Sequence, residues 1–172
     1  MKKTMTPAAI MKRIKTIEQK KESILRNETA TSSYKQIGDE QPEICSYDFK
    51  RTRVAVGDLD KEVCALKFAL SRSNVMNILD EWSFTPCEAL ILLAQCNKEL
   101  SVVTRLANSQ QKSQDVFSFR RDGGNRMVYD CANYDVEEAK KYRDDLQNYI
   151  YELQMSLDQY NLTAQVEVDL PE

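Results

Sequence analysis

The chain has 172 residues, with 24 Lys+Arg against 27 Asp+Glu, a formal net charge of −3 and no histidine. Charged residues make up 30%, hydrophobics 42%, and glycine and proline number only four each. That balance favours a mainly α fold over a sandwich, a barrel or a disordered chain. Absent imidazole removes the commonest general base and metal ligand, and with them serine and cysteine triads and His-based zinc sites in their usual forms.

The length suits one domain, 1–172, expected here as a single elongated helical domain. Five widely spaced cysteines, Cys45, Cys64, Cys87, Cys96 and Cys131, form no C-x-x-C pair and read as buried, reduced thiols. The first 25 residues are interrupted by lysines and contain no signal-peptide core. The longest apolar run, Ala89 to Ala94, is far too short for a transmembrane segment, so a cytoplasmic protein is expected.

The first helix is predicted over about 6–27. Pro7 takes its first turn, and Ile10, Ile14, Ile17 and Ile24 form a heptad-like stripe with Lys21 at the skipped position. A polar linker, 28–43, carries Gly38 and Pro42. The second helix is predicted over about 44–81 from Phe49, Thr52, Val56, Leu59, Val63, Leu66 and Leu70, at alternating spacings of three and four. It would be roughly 55 Å long at 1.5 Å per residue. Gly57 interrupts the composition but not the phase, so one helix is preferred over a bend.

Thr85-Pro86-Cys87-Glu88 is a capping box that opens a third helix, about 86–110. Its stripe is Ala89, Leu93, Cys96, Leu100, Val103 and Ala107, widened by Leu90, Leu92 and Val102 so that it would meet neighbours on two sides. A β-hairpin follows at about 115–130, around Asp122-Gly123-Gly124-Asn125. Asp-Gly and Gly-Gly turns would give different registers, and both stay open. Asp135 is the predicted cap of the last helix, about 135–161, and Val166 and Val168 alternate with acids as in a short final strand.

Split by segment, the charge is +6 over residues 1–26, −8 over 130–172 and −1 between them. The first and last helices are therefore natural electrostatic partners, within a chain or across a dimer. The sharper alternative is an anion-binding face built from Lys12, Arg13, Lys15, Lys20 and Lys21, joined by Arg120, Arg121 and Arg126 at the hairpin tip. Catalytic, cofactor and metal residues are not assigned. The carboxylate pairs Glu137/Glu138 and Asp144/Asp145 point about 100° apart on a helix and do not converge.

In order along the chain, Gly38-Asp39-Glu40-Gln41-Pro42, the Arg72, Asn74, Asn77 stretch, Thr85 with Glu88-Ala89-Leu90, and a last helix followed by Asn161 and Thr163 resemble a family of small bacterial coiled-coil proteins. Some of its members carry the name septicolysin. The resemblance covers about residues 5–168 and implies long antiparallel helices with a small β element, and no established activity. Cys96 and Asn97 replace a charged pair that the family favours. The function expected is a non-enzymatic helical interaction or scaffold protein acting as a homodimer or higher homo-oligomer. Alternatives are nucleic-acid or anionic-surface binding through the basic helix and arginine-rich tip, and a clamp of the prefoldin kind, by analogy with helices joined through a β-hairpin.

Overall fold

The computed structural model describes residues 1–36, 38, 46–114 and 128–171. The order of elements is β1 (Lys2–Met5), α1 (Pro7–Thr31), α2 (Phe49–Met76), α3 (Pro86–Ala107), β2 (Lys112–Gln114), β3 (Tyr129–Cys131), α4 (Val136–Thr163) and β4 (Val166–Asp169). The fold is mainly helical, with two small antiparallel sheets of two strands each. The chain divides into two units, one of Met1–Ile78 with Asp158–Glu172 and the other of Leu79–Leu157.

In the first unit, Thr6 caps α1 through its hydroxyl, which accepts from the Ala9 N–H at 3.2 Å, with Pro7 at the first position. Asp48 caps α2 by accepting from the Arg51 N–H at 2.9 Å. The core is built from the predicted stripes: Ile10, Ile14 and Ile17 of α1 pack with Leu66 and Ala69 of α2 and with Val166, Val168 and Leu170. β1 pairs with β4, Lys2 opposite Asp169 and Met5 opposite Val166. The basic start and acidic end of the sequence do meet, therefore, but through strands. Polar, non-alternating Lys2–Met5 gave no strand signal; its partner lies some 160 residues away in the sequence.

Three limits of α1 and α2 differ from expectation for visible reasons. α1 runs on to Thr31 because Glu28, in its last turn, is held by Tyr47 and Arg53 from beyond the linker. α2 begins at Phe49, after the Asp48 cap, and ends at Met76 instead of Glu81. There the Asn77 side-chain amide donates to the Ser73 carbonyl at 2.9 Å while the Asn77 backbone turns extended. Residues 39–45, with Cys45, lie outside the described residues. Gly57 lies inside α2 as a single element.

In the second unit, the Leu79 N–H donates to the Phe84 carbonyl at 3.1 Å, closing the turn that leads into α3. The capping box is complete: the Glu88 N–H donates to the Thr85 hydroxyl at 3.2 Å and the Thr85 N–H to the Glu88 carboxylate at 2.8 Å. α3 ends at Ala107, and Asn108 closes it by donating to Thr104. Asp135 starts α4 as expected, its carboxylate accepting from the Glu137 N–H at 2.8 Å.

β2 and β3 pair antiparallel, β2 lying just ahead of the predicted hairpin at 115–130 and β3 at its end. Lys112 lies opposite Cys131 and Gln114 opposite Tyr129. These polar residues carry no alternation, and what fixes them is Gln111. Its side chain donates to the Ala132 and Tyr134 carbonyls, at 3.2 and 3.0 Å, and accepts from the Val136 N–H at 3.1 Å. Residues 115–127, with the predicted turn at Asp122-Gly123-Gly124-Asn125, lie outside the described residues.

Candidate functional site

α1 carries the densest run of charge in the chain, and its surroundings decide how much of that charge is free. Arg13 pairs with Glu62, its Nε donating at 2.6 Å, and Lys21 Nζ lies 2.5 Å from Asp60. Running the other way, Lys67 Nζ donates to Glu18 at 2.9 Å, and Arg53 pairs with Glu28. As residue numbers rise along α1, those of the α2 partners fall, so the two helices are antiparallel. Every ion pair that α1 makes with another helix among the described residues goes to α2. Within the first unit, Arg13 and Lys21 find their partners on α2. α2 has three acidic residues, and two of them, Asp60 and Glu62, stand on either side of its buried stripe and pair with α1.

The predicted anion-binding set therefore divides. Arg13 and Lys21 are committed to carboxylates and half-buried. Lys12, Lys15 and Lys20 are exposed and make no ion pair among the described residues. Lys12 and Lys20 stand with Arg13 on one cleft of 480 Å³ between α1 and α2, walled also by Thr16, Leu59 and Glu62. Lys15 is not among the residues lining that cleft. Arg120, Arg121 and Arg126 lie outside the described residues. Two free lysines, with Glu62 in the same wall, can attract an anion but cannot enclose one.

At the loop end of α1, the Tyr47 hydroxyl donates to Glu28 at 2.5 Å, and Arg53 pairs with the same carboxylate. The Tyr47 hydroxyl first, and Arg53 after it, hold the Glu28 carboxyl below its ordinary range. The same hydrogen bond raises the Tyr47 phenol. This is a latch across the linker, with both groups near solvent.

A second polar cluster, not foreseen, lies at the other end of α2. Ser73 is 7% exposed and Tyr160 9%, and their hydroxyls are 2.6 Å apart. Asn77 Nδ2 donates to the Ser73 hydroxyl at 2.9 Å and to the Tyr160 hydroxyl at 3.3 Å. The Arg72, Asn74, Asn77 spacing marked the segment; Ser73, the buried member, carried no signal. A cleft of 390 Å³ opens beside it, bordered by Arg72, Gln165 and Glu167. The cluster joins α2 to the end of α4 by satisfied hydrogen bonds, and among the described residues neither hydroxyl has a base positioned to activate it.

Further tyrosines of the last helix divide between packing and surface. Tyr149 meets Trp82 edge-on at 5.4 Å between centroids, and the exposed Tyr142 donates to Glu99 at 2.7 Å. The Glu99 hydrogen bond raises the Tyr142 phenol. The cysteines depart from expectation: Cys64 and Cys131 are exposed, Cys87 and Cys96 half-buried, and all four are free thiols. Cys64 stands on the side of α2 away from the core stripe, which its helical position dictates. Among the described residues, no group of three or more Cys, Asp or Glu is placed to hold a metal ion, and no helix is long and apolar enough to cross a membrane.

The exposed side chains include large apolar ones at helical spacing. Val54, Phe68 and Val75 of α2 are 60%, 69% and 58% exposed. Leu90, Ile91 and Val102 of α3 and Tyr151 and Met155 of α4 are exposed in the second unit.

No family model matches the chain, and no curated protein matches it. Among solved structures, the fold is similar to the crystal structure of a functionally unknown conserved protein from Corynebacterium diphtheriae. The TM-score is 0.63 at 13% identity, over 95% of this chain and 99% of that one, a likeness of fold alone.

Proposed function

We propose that the protein is a non-enzymatic helical interaction or scaffold protein that works as a homo-oligomer. The observation that carries this reading is the placement of large apolar side chains on solvent faces of α2, α3 and α4, in both units. Water-facing positions of a helix ordinarily hold charged or polar residues, and clustered apolar ones mark contact surfaces. The charge of α1 has a structural use within the first unit, through its pairs with α2. The resemblance to the septicolysin-labelled coiled-coil family belongs to the same proposal. Static light scattering on the full chain at tens of micromolar tests it: a mass above the 19.9 kDa of one chain is expected, and a strict monomer would overturn it.

A second reading, binding of an anionic surface, is favoured by one observation, Lys12 and Lys20 on the α1–α2 cleft, which make no ion pair among the described residues. It expects binding to a labelled DNA duplex that weakens steeply with salt and weakens further in Lys12→Glu and Lys20→Glu. Binding indifferent to salt and to both reversals would remove it.

A further inference from the structure

The core side of α2 is settled by Leu59, Val63, Leu66, Ala69 and Leu70. The opposite side carries a second pattern. Val54, Lys61, Phe68 and Val75 recur every seven residues, with Gly57 and Cys64 at the intermediate positions. A seven-residue repeat of this kind keeps one seam along a helix. Its three large apolar members are all more than half exposed. Alongside runs a groove of 740 Å³ bordered by Lys61, Cys64, Ala65, Phe68, Leu170 and Pro171.

We infer that this face of α2 is a self-association surface, on which a second copy packs antiparallel about a two-fold axis at Cys64–Ala65. The inference rests on the scaffold reading above and gives it a surface and a partner. Charge singles out a second copy as the occupant. Among the described residues, the exposed Arg72 makes no ion pair and the exposed Asp58 pairs only with Lys61, one turn away at 2.9 Å. Asp58 and Arg72 stand seven residues either side of Ala65, on the same flank of the stripe. An antiparallel copy related by that axis therefore brings Arg72 to the first copy's Asp58, and the symmetry repeats the pair.

The same rotation brings Val54 and Val75, and Lys61 and Phe68, to within one residue of standing opposite each other. The lysine stem can cover the aromatic ring while its ammonium meets the ring face. The groove beside Lys61 and Ala65 gives each incoming Phe68 ring an apolar seat, and small Gly57 and Cys64 let the helices approach closely. One helix pair is a small interface, so association in the region of ~10 µM is expected rather than nanomolar affinity.

The test uses the full chain. Wild type should sediment as a dimer at ~100 µM, and mild oxidation should give a Cys64–Cys64 linked species identified by peptide mass. Phe68→Lys should raise the dissociation constant by about ten-fold or more, since it sets a second cation against Lys61 of the other copy. Asp58→Arg should weaken association, and adding Arg72→Asp should restore it. Phe68 is solvent-exposed, so its variant is expected to fold; if circular dichroism shows otherwise, the charge-swapped pair decides alone. A wild-type oligomer indifferent to Phe68→Lys and to the charge swaps, with no Cys64–Cys64 link, overturns this face and leaves the scaffold reading standing. A wild-type monomer at every concentration overturns both.

Discussion

The Ser73–Tyr160–Asn77 cluster makes a quantitative prediction about how α2 is joined to the end of α4. Tyr160→Phe removes one hydroxyl and leaves the ring; Ser73→Ala removes the other. The two oxygens are 2.6 Å apart and both residues are more than nine-tenths buried, so each single variant leaves a buried hydroxyl short of a partner. That costs about 1–2 kcal/mol, equivalent to a melting shift of roughly 2–4 °C per kcal/mol in a chain of this size. The double variant removes both hydroxyls together, and Asn77 Nδ2 keeps the Ser73 carbonyl at 2.9 Å. It should therefore cost less than the sum of the singles by about 1 kcal/mol. Urea unfolding followed by circular dichroism at 222 nm measures all four corners of the cycle. Strict additivity, within about 0.3 kcal/mol, would refute the claim that the hydroxyls depend on each other.

Three further outcomes follow from single sites. Gly57 lies within α2, and a Cβ built there meets nothing within 4 Å; Gly57→Ala should stabilise the chain by about 0.5–1 kcal/mol, read from urea unfolding. At the latch, Glu28 has a lowered pKa, so its contribution is present above the ordinary carboxylate range and is lost as pH falls through the depressed folded value. Tyr47 has a raised pKa, so its contribution is present below the ordinary phenol range and is lost as pH rises through the elevated folded value. Carboxyl-carbon NMR should show Glu28 titrating below the ordinary range and moving up in Tyr47→Phe; a value that does not move would count against the latch. Gln111→Ala breaks three hydrogen bonds to the segment entering α4 and should cost about 1–2 kcal/mol, with faster amide exchange at Val136.

Much of the architecture was legible because it is written in local chemistry. Thr6-Pro7 and Thr85-Pro86-Cys87-Glu88 announce helix starts by the side chains that satisfy their first amides. The isoleucines of α1 and the leucines of α2 mark the core by period alone. What stayed hidden depends on distant partners. β1 exists because Val166–Asp169 returns to it, and nothing in Lys2–Met5 announces a strand. The last turn of α1 depends on Tyr47 and Arg53 from beyond the linker.

The candidate site was harder still. Ion pairs are made by position, and Asp60 and Glu62 stand where Lys21 and Arg13 reach. Their segment is basic overall, so the sum concealed them. The outer stripe of α2 was overlooked for a similar reason. The stronger inner period of Leu59, Val63, Leu66 and Leu70 masks the weaker one of Val54, Phe68 and Val75, and only burial separates the two faces.

The central claim is that this chain acts by joining helix faces, its own copy first among them. Sedimentation equilibrium of the wild-type chain from ~1 to ~100 µM tests it most directly. A mass climbing from 19.9 kDa toward twice that value is the predicted result, and a constant 19.9 kDa across the range would contradict it.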